Sequence, residues 1–329
     1  MQPDFAMAGA ATRSWRAAIA QLAVIWSLLF AATFDQWAQM FHQWWNIDTY
    51  SHILLIPPII AWLVWLKRDA LVRIAPTGWW PGLIWALLGL ALWTVGRALE
   101  VNLFAQTGTL MAVQGATVAL LGLRISLFLA LPIAYSSFLV PFGDEIIPQL
   151  QAVTANLATW LTDLSGIAMI ADGIYIDTPA GLFIVAEACS GVKFLIAMVT
   201  LGVLVIFTCF ESWSRRAWFM LACIAVPILA NGIRAWATIF IAQYVGAEAA
   251  GSFDHIVYGW VFFGIVIALV LGFAWPWFER DPEDSGWTSD EISSLPLVDS
   301  LERFHGSAFA ITACGIGLAM TFVALARLG

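Results

Sequence analysis

FIVAEACSGVKFLIAMVTLGVLVIFTCF occupies residues 183–210. From Gly191 onward the run is almost pure hydrocarbon, and about 20 such residues are what a helix needs to cross roughly 30 Å of lipid. Just ahead of it Glu187, Cys189, Ser190 and Gly191 stand together, and Lys193 follows. The stretch therefore reads as a membrane helix with a chemically active cluster at its start.

The rest of the chain repeats this composition. Of 329 residues, 61% are hydrophobic and only 11% charged, where a soluble domain carries roughly a quarter. Mean hydropathy is +0.86. Such a chain cannot cover a water-facing surface, and the fold class expected is an all-α polytopic membrane protein. Acidic residues outnumber basic ones 22 to 14, and no basic patch with interleaved aromatics is present, which argues against nucleic acid as a partner. Trp pairs such as Trp44-Trp45 and Trp79-Trp80 fall at segment ends, where indoles settle at the lipid–water interface. Cys189, Cys209, Cys223 and Cys314 form no CxxC pair, and Cys and His show no metal-ligand spacing. No metal or cofactor is implied.

Apolar runs predict spans near 17–34, 53–66, 79–96, 103–123, 125–142, 191–210, 217–245, 256–275 and 307–326, eight to nine helices in all. Arg13, Arg16, Lys67, Arg68, Arg73, Arg124, Arg215, Arg216, Arg280 and Arg303 all fall on one side if these spans alternate. Positive residues stay inside, so the N-terminus is expected in the cytoplasm. The loop 35–51 and the stretch 143–190 are then expected outside.

Within that outer stretch, IIPQLQAVTANLATWLTDL (146–164) has helical apolar spacing with a polar opposite face. It predicts an amphipathic helix at the interface or lining a cavity. GIYIDTPAGLFIVA (173–186) predicts a β-hairpin with a five-residue loop, 177–181. The chain divides into a cytoplasmic tail (1–16), a membrane core (17–275), an acidic, mobile cytoplasmic linker (276–306) and a last span within 307–329.

Three outer edges carry chemistry. Cys189 sits at the start of the sixth span, where helix N–H groups and the dipole favour a thiolate. Lys193, four residues on, is expected one turn deeper on the same face, and Gly191 would let a substrate backbone approach. A buried structural thiol is the plain alternative. Arg234, in PILANGIRAWATIF (227–240), lies inside a span, where a cation marks function by default. From a helix start near 217 it would be about 25 Å along, near the outer interface; headgroup snorkelling is the alternative. His255, beside Asp254 in GSFDHIVYGWVFF (251–263), opens the eighth span. Thiol, imidazole and guanidinium together are what acyl transfer needs: a nucleophile, a proton carrier and a fixed charge for an oxyanion.

EACSG (187–191), NGIR (231–234) and DH (254–255), in this order, together with DTYSHILLIPPIIAWLVWLKR (48–68), resemble the exosortase family. The resemblance covers roughly residues 15–275. It implies an integral membrane cysteine transpeptidase of the Gram-negative inner membrane, its active site facing the periplasm. The substrates implied are secreted proteins with a C-terminal sorting tail: a Pro-Glu-Pro motif, a transmembrane helix and a basic cluster (the PEP-CTERM signal). It implies Cys189 as nucleophile, His255 as general acid/base and Arg234 as electrostatic stabiliser, with an envelope amine or glycan as acceptor. Glu187, Lys193, Asp254 and His52 are possible supporting residues, each with a structural role as its alternative. A transporter or flippase for an envelope glycan or lipid precursor, with Arg234 binding an anionic group, is the competing reading. A membrane thiol oxidant would need a second outer cysteine.

Overall fold

A computed structural model describes residues 3–248, 250 and 259–328. In chain order the helices are α1 (Pro3–Ala32), α2 (Phe34–Asn46), α3 (Ile56–Leu66), α4 (Arg68–Leu71), α5 (Pro81–Ala98), α6 (Asn102–Leu121), α7 (Leu123–Phe128), α8 (Ala130–Tyr135), α9 (Ile147–Leu164), α10 (Val192–Thr208), α11 (Trp213–Val245), α12 (Gly259–Ala274), α13 (Ser289–Ser294), α14 (Pro296–Glu302) and α15 (Ala308–Leu328). The strands are β1 (Gly78–Trp79), β2 (Ile170–Asp172), β3 (Tyr175–Thr178), β4 (Gly181–Ile184) and β5 (His305–Gly306). Among the described residues, the apolar segments Trp15–Ala32, Asp48–Leu66, Pro81–Ala98, Asn102–Leu121 and Trp213–Val245 are long enough to cross a membrane, and Ala130–Leu139, Val192–Thr208, Val261–Trp277 and Ala308–Ala324 are shorter. This is a helical, multi-pass membrane protein with a small sheet.

The chain forms two compact units, residues 1–141 with 282–329, and residues 142–281. The first is built on α5 and α6. Small residues meet along their seam, and a Cβ placed on Gly89 would lie 2.5 Å from the Ala112 nitrogen. In lipid, where apolar burial drives little, such close backbone approach supplies the packing. The region read as loop 35–51 is instead largely α2, followed by a 3-10 turn at Asp48–Leu55. The buried stripe of α2 is Gln36, Met40 and Trp44. Gln36 accepts the indole N–H of Trp93 at 2.8 Å, and Trp44 donates to the Leu139 carbonyl at 3.0 Å. The span read at 125–142 is broken into α7, α8 and a 3-10 turn at Ser136–Leu139. The segment read as an N-terminal tail is helical from Pro3.

The acidic segment is not a bare linker. Ile292 and Val298 are buried against Leu71, Leu123 and Phe128. Thr288 and Glu291 form a reciprocal cap at the start of α13. Arg124 pairs with Glu302 and Asp299, and Glu302 first, by its hydrogen bond, raises the Arg124 pKa above the usual value. Strands β1 and β5 pair antiparallel, Trp79 opposite His305.

In the second unit α11 is flanked by α9 and α10. Phe194, Met198 and Val205 of α10 bury with Phe219 and Cys223 of α11 and with Phe263, Val266 and Val270 of α12. The α9 face that is buried consists of Leu150, Thr154, Ala155, Ala158 and Thr162, while Val153, Trp160 and Leu164 are exposed. The small residues of the buried face let the backbones close up, and the exposed face mixes apolar side chains with Gln149, Asn156 and Asp163. The hairpin has a two-residue connection, since Thr178 pairs with Gly181, and β2 adds a third strand. Ile176 is fully buried against Ala158 and Ile239. Gln151 Nε2 donates to the Val185 carbonyl and Gln243 Nε2 to the Thr178 hydroxyl, at 2.9 and 3.2 Å. The hairpin thereby fixes the chain that leads into Glu187.

Candidate active site

A 3-10 turn, Glu187–Cys189, follows β4. The Cys189 N–H donates to the Ala186 carbonyl at 2.8 Å, and the Ser190 N–H to Glu187 at 3.0 Å. Gly191 then adopts φ +83°, in the left-handed region, and α10 begins at Val192. Cys189 is therefore three residues ahead of the helix, on the approach to its N-terminus, as a half-buried, reduced thiol.

This turn corrects two expectations. The backbone between Cys189 and Lys193 is not helical, so the same-face relation does not hold; the Lys193 ammonium lies 5.1 Å from the Phe194 ring centre. The space at Gly191 is filled from within, because a Cβ there would lie 2.7 Å from the amide carbon of Asn231. The close approach that needs this glycine is that of a side chain of α11 and not of a substrate.

Arg234 is buried on α11, at 8% exposure, and its guanidinium carbon lies 5.7 Å from the centre of the same Phe194 ring. Phe194 stacks on Phe263 at 4.8 Å. Both cations thus lie within cation–π reach of the Phe194 ring. Cys189, Asn231 and Arg234 line one pocket of about 80 Å³, whose remaining wall is apolar except for Thr238 and includes Ile176, Phe183, Ile184 and Ile239. The structure places Cys189 and Arg234 on the wall of one small cavity.

Asn231 was not singled out by the sequence, although it lies in the NGIR motif. Its spacing of three residues from Arg234 was the available signal, since i and i+3 share a helix face. Its amide donates to the Cys189 carbonyl at 2.9 Å and to the Thr154 hydroxyl at 3.0 Å. Glu187 is exposed on the turn. His52 belongs to the first unit, where its Nδ1 donates to the Thr49 carbonyl at 3.1 Å. His255 and Asp254 lie outside the described residues. Among the described residues no three His, Cys, Asp or Glu side chains gather as a metal site.

The family model for transmembrane exosortases matches residues 44–272, more than two thirds of the chain and the whole of this site. The chain belongs to the transmembrane exosortase family. No curated protein and no solved structure matches it. The pocket that Cys189 and Arg234 share is walled mostly by apolar side chains, where a charge acts through a lower dielectric than in water.

Proposed function

We propose that this exosortase is a cysteine transpeptidase that cleaves the C-terminal sorting tail of secreted proteins through a thioester on Cys189. The observation that carries the reading is the shared pocket of Cys189 and Arg234. The Cys189 thiolate attacks the scissile carbonyl carbon, forming a C–S bond and an oxyanion. The Arg234 guanidinium, which keeps its proton at any working pH, stabilises that oxygen. Imidazolium at His255 gives its proton to the departing amine as the C–N bond breaks. Water or an envelope amine then attacks the thioester and returns a proton to His255, and the thiolate leaves. The substrate tail carries Pro-Glu-Pro, a transmembrane helix and a basic cluster. With the basic segments in the cytoplasm, the pocket faces the periplasm of an inner-membrane enzyme.

The test is a processing assay. A tagged secreted protein with such a tail, taken from the same genome, is co-expressed with wild type, Cys189→Ala, Arg234→Ala or His255→Ala, and membrane levels are matched. The expected result is a size shift with wild type that Cys189→Ala abolishes. A shift that survives Cys189→Ala removes the thioester. No shift with wild type returns the chain to the transporter or flippase reading, in which Arg234→Lys would keep function.

A further inference from the structure

Asn231 and Thr154 take no part in the chemistry above, yet they are 3% and 1% exposed. The Asn231 amide nitrogen donates to the Cys189 carbonyl, and to the Thr154 hydroxyl, at 2.9 and 3.0 Å. That hydroxyl donates in turn to the Ser190 carbonyl at 3.3 Å. Two successive carbonyls of the nucleophile's turn are thus held by side chains from α11 and α9. Gly191, left-handed and without a Cβ, leaves the room this amide fills.

A buried amide and hydroxyl are unfavourable unless their bonds are made. Apolar residues would join these helices as well. They would not fix where the Cys189 turn stands along α11. Asn231 and Arg234 share one face of one helix, three residues apart, so a bond from Asn231 to Cys189 sets the turn against the guanidinium.

We propose that Asn231, oriented by Thr154, is a positioning residue that holds the Cys189 turn in register with Arg234, so that thiol and guanidinium meet one acyl group. The proposal rests on the thioester reading above. Because an ångström of misplacement costs about 100-fold in rate, the effect belongs on kcat and not on KM.

The experiment uses the full chain in membranes and measures two things: processing of the tailed substrate over a range of concentrations, and alkylation of Cys189 by N-ethylmaleimide, with Cys189→Ala as the blank. For Asn231→Ala the expected result is about 100-fold lower kcat, with KM within about threefold and Cys189 still alkylated. Thr154→Val is expected to slow processing about tenfold, and Thr154→Ser, which keeps the hydroxyl, to restore most of it. Asn231→Ala within about threefold of wild type, or a loss confined to KM, overturns the proposal. So does Thr154→Ser as slow as Thr154→Val. If Asn231→Ala does not accumulate, the Thr154 pair decides. Processing that ignores Cys189→Ala sinks the thioester reading itself. Processing that needs Cys189 but ignores Asn231 and Thr154 sinks this proposal alone.

Discussion

Gly191 joins the turn's backbone to its packing. Its φ of +83° suits glycine, and the volume a methyl would take belongs to the Asn231 amide. An L-residue held left-handed costs about 1–2 kcal/mol before any clash. Gly191→Ala is therefore expected to lower the thermal midpoint of the purified protein. Part of the loss should disappear in an Asn231→Ala background, where the clash is gone and only the backbone term remains; a double-mutant cycle measures it, and strictly additive losses would count against the packing account. Cys189 and Arg234 stand out as candidates in the sequence because a thiol near a carboxylate and an arginine within hydrocarbon have few reasons to be there. Asn231 and Thr154 could not. Asn and Thr bridge many membrane helices, and what distinguishes these two is the carbonyls they meet, 42 and 36 residues away in the chain. Lys193 was misplaced because helical spacing was applied across a residue whose conformation breaks the helix.

At the scale of elements, long apolar runs were legible and polar seams were not. α2 escaped notice because its buried stripe is Gln36, Met40 and Trp44, two of which are polar enough to read as surface. The hairpin was expected, but its loop is shorter, since Thr178 and Gly181 pair across Pro179-Ala180. The end of unit two opposite the pocket is closed by charge. Glu279 accepts the N–H groups of Glu211 and Ser212 at 2.7 and 2.8 Å, which caps the start of α11, and Arg215 lies 3.2 Å away. Arg216 and Arg280 donate to the Phe210 and Phe207 carbonyls at the end of α10. Each charge meets the helix pole of opposite sign. The Ser212 and Glu211 N–H groups, and then Arg215, hold the Glu279 carboxyl below its ordinary value of 4.5. A carboxyl lowered by folding stabilises the fold above its unfolded pKa, and that contribution is lost as pH falls through the lower, folded value. Wild type should thus melt above Glu279→Gln at pH 7, with the difference shrinking as the pH drops below 4.5. A difference that persists unchanged into acid would show that the carboxylate charge is not what caps α11.

At the scale of the molecule, membrane class followed from composition, because so few charges leave no other solution. The grouping did not. The last stretch, 282–329, belongs with residues 1–141, joined by Trp79 donating to the Leu301 carbonyl at 3.0 Å and by the Arg124–Glu302 pair. An acidic, turn-rich segment looks like a linker until two buried apolar side chains, Ile292 and Val298, find their cluster. The proposed brace on Cys189 also has a consequence in time. Asn231 follows Cys189 by 42 residues, and a ribosome adding 5–20 residues per second needs roughly 2–8 s to cover that distance. Thr154 and then the thiol are made first, and Asn231 and Arg234 follow. On the proposed mechanism a nascent chain is inert until α11 has left the ribosome. Chains stalled ahead of Asn231 should expose an alkylatable Cys189 that forms no acyl-enzyme, and an acyl-enzyme trapped at that length would refute the delay.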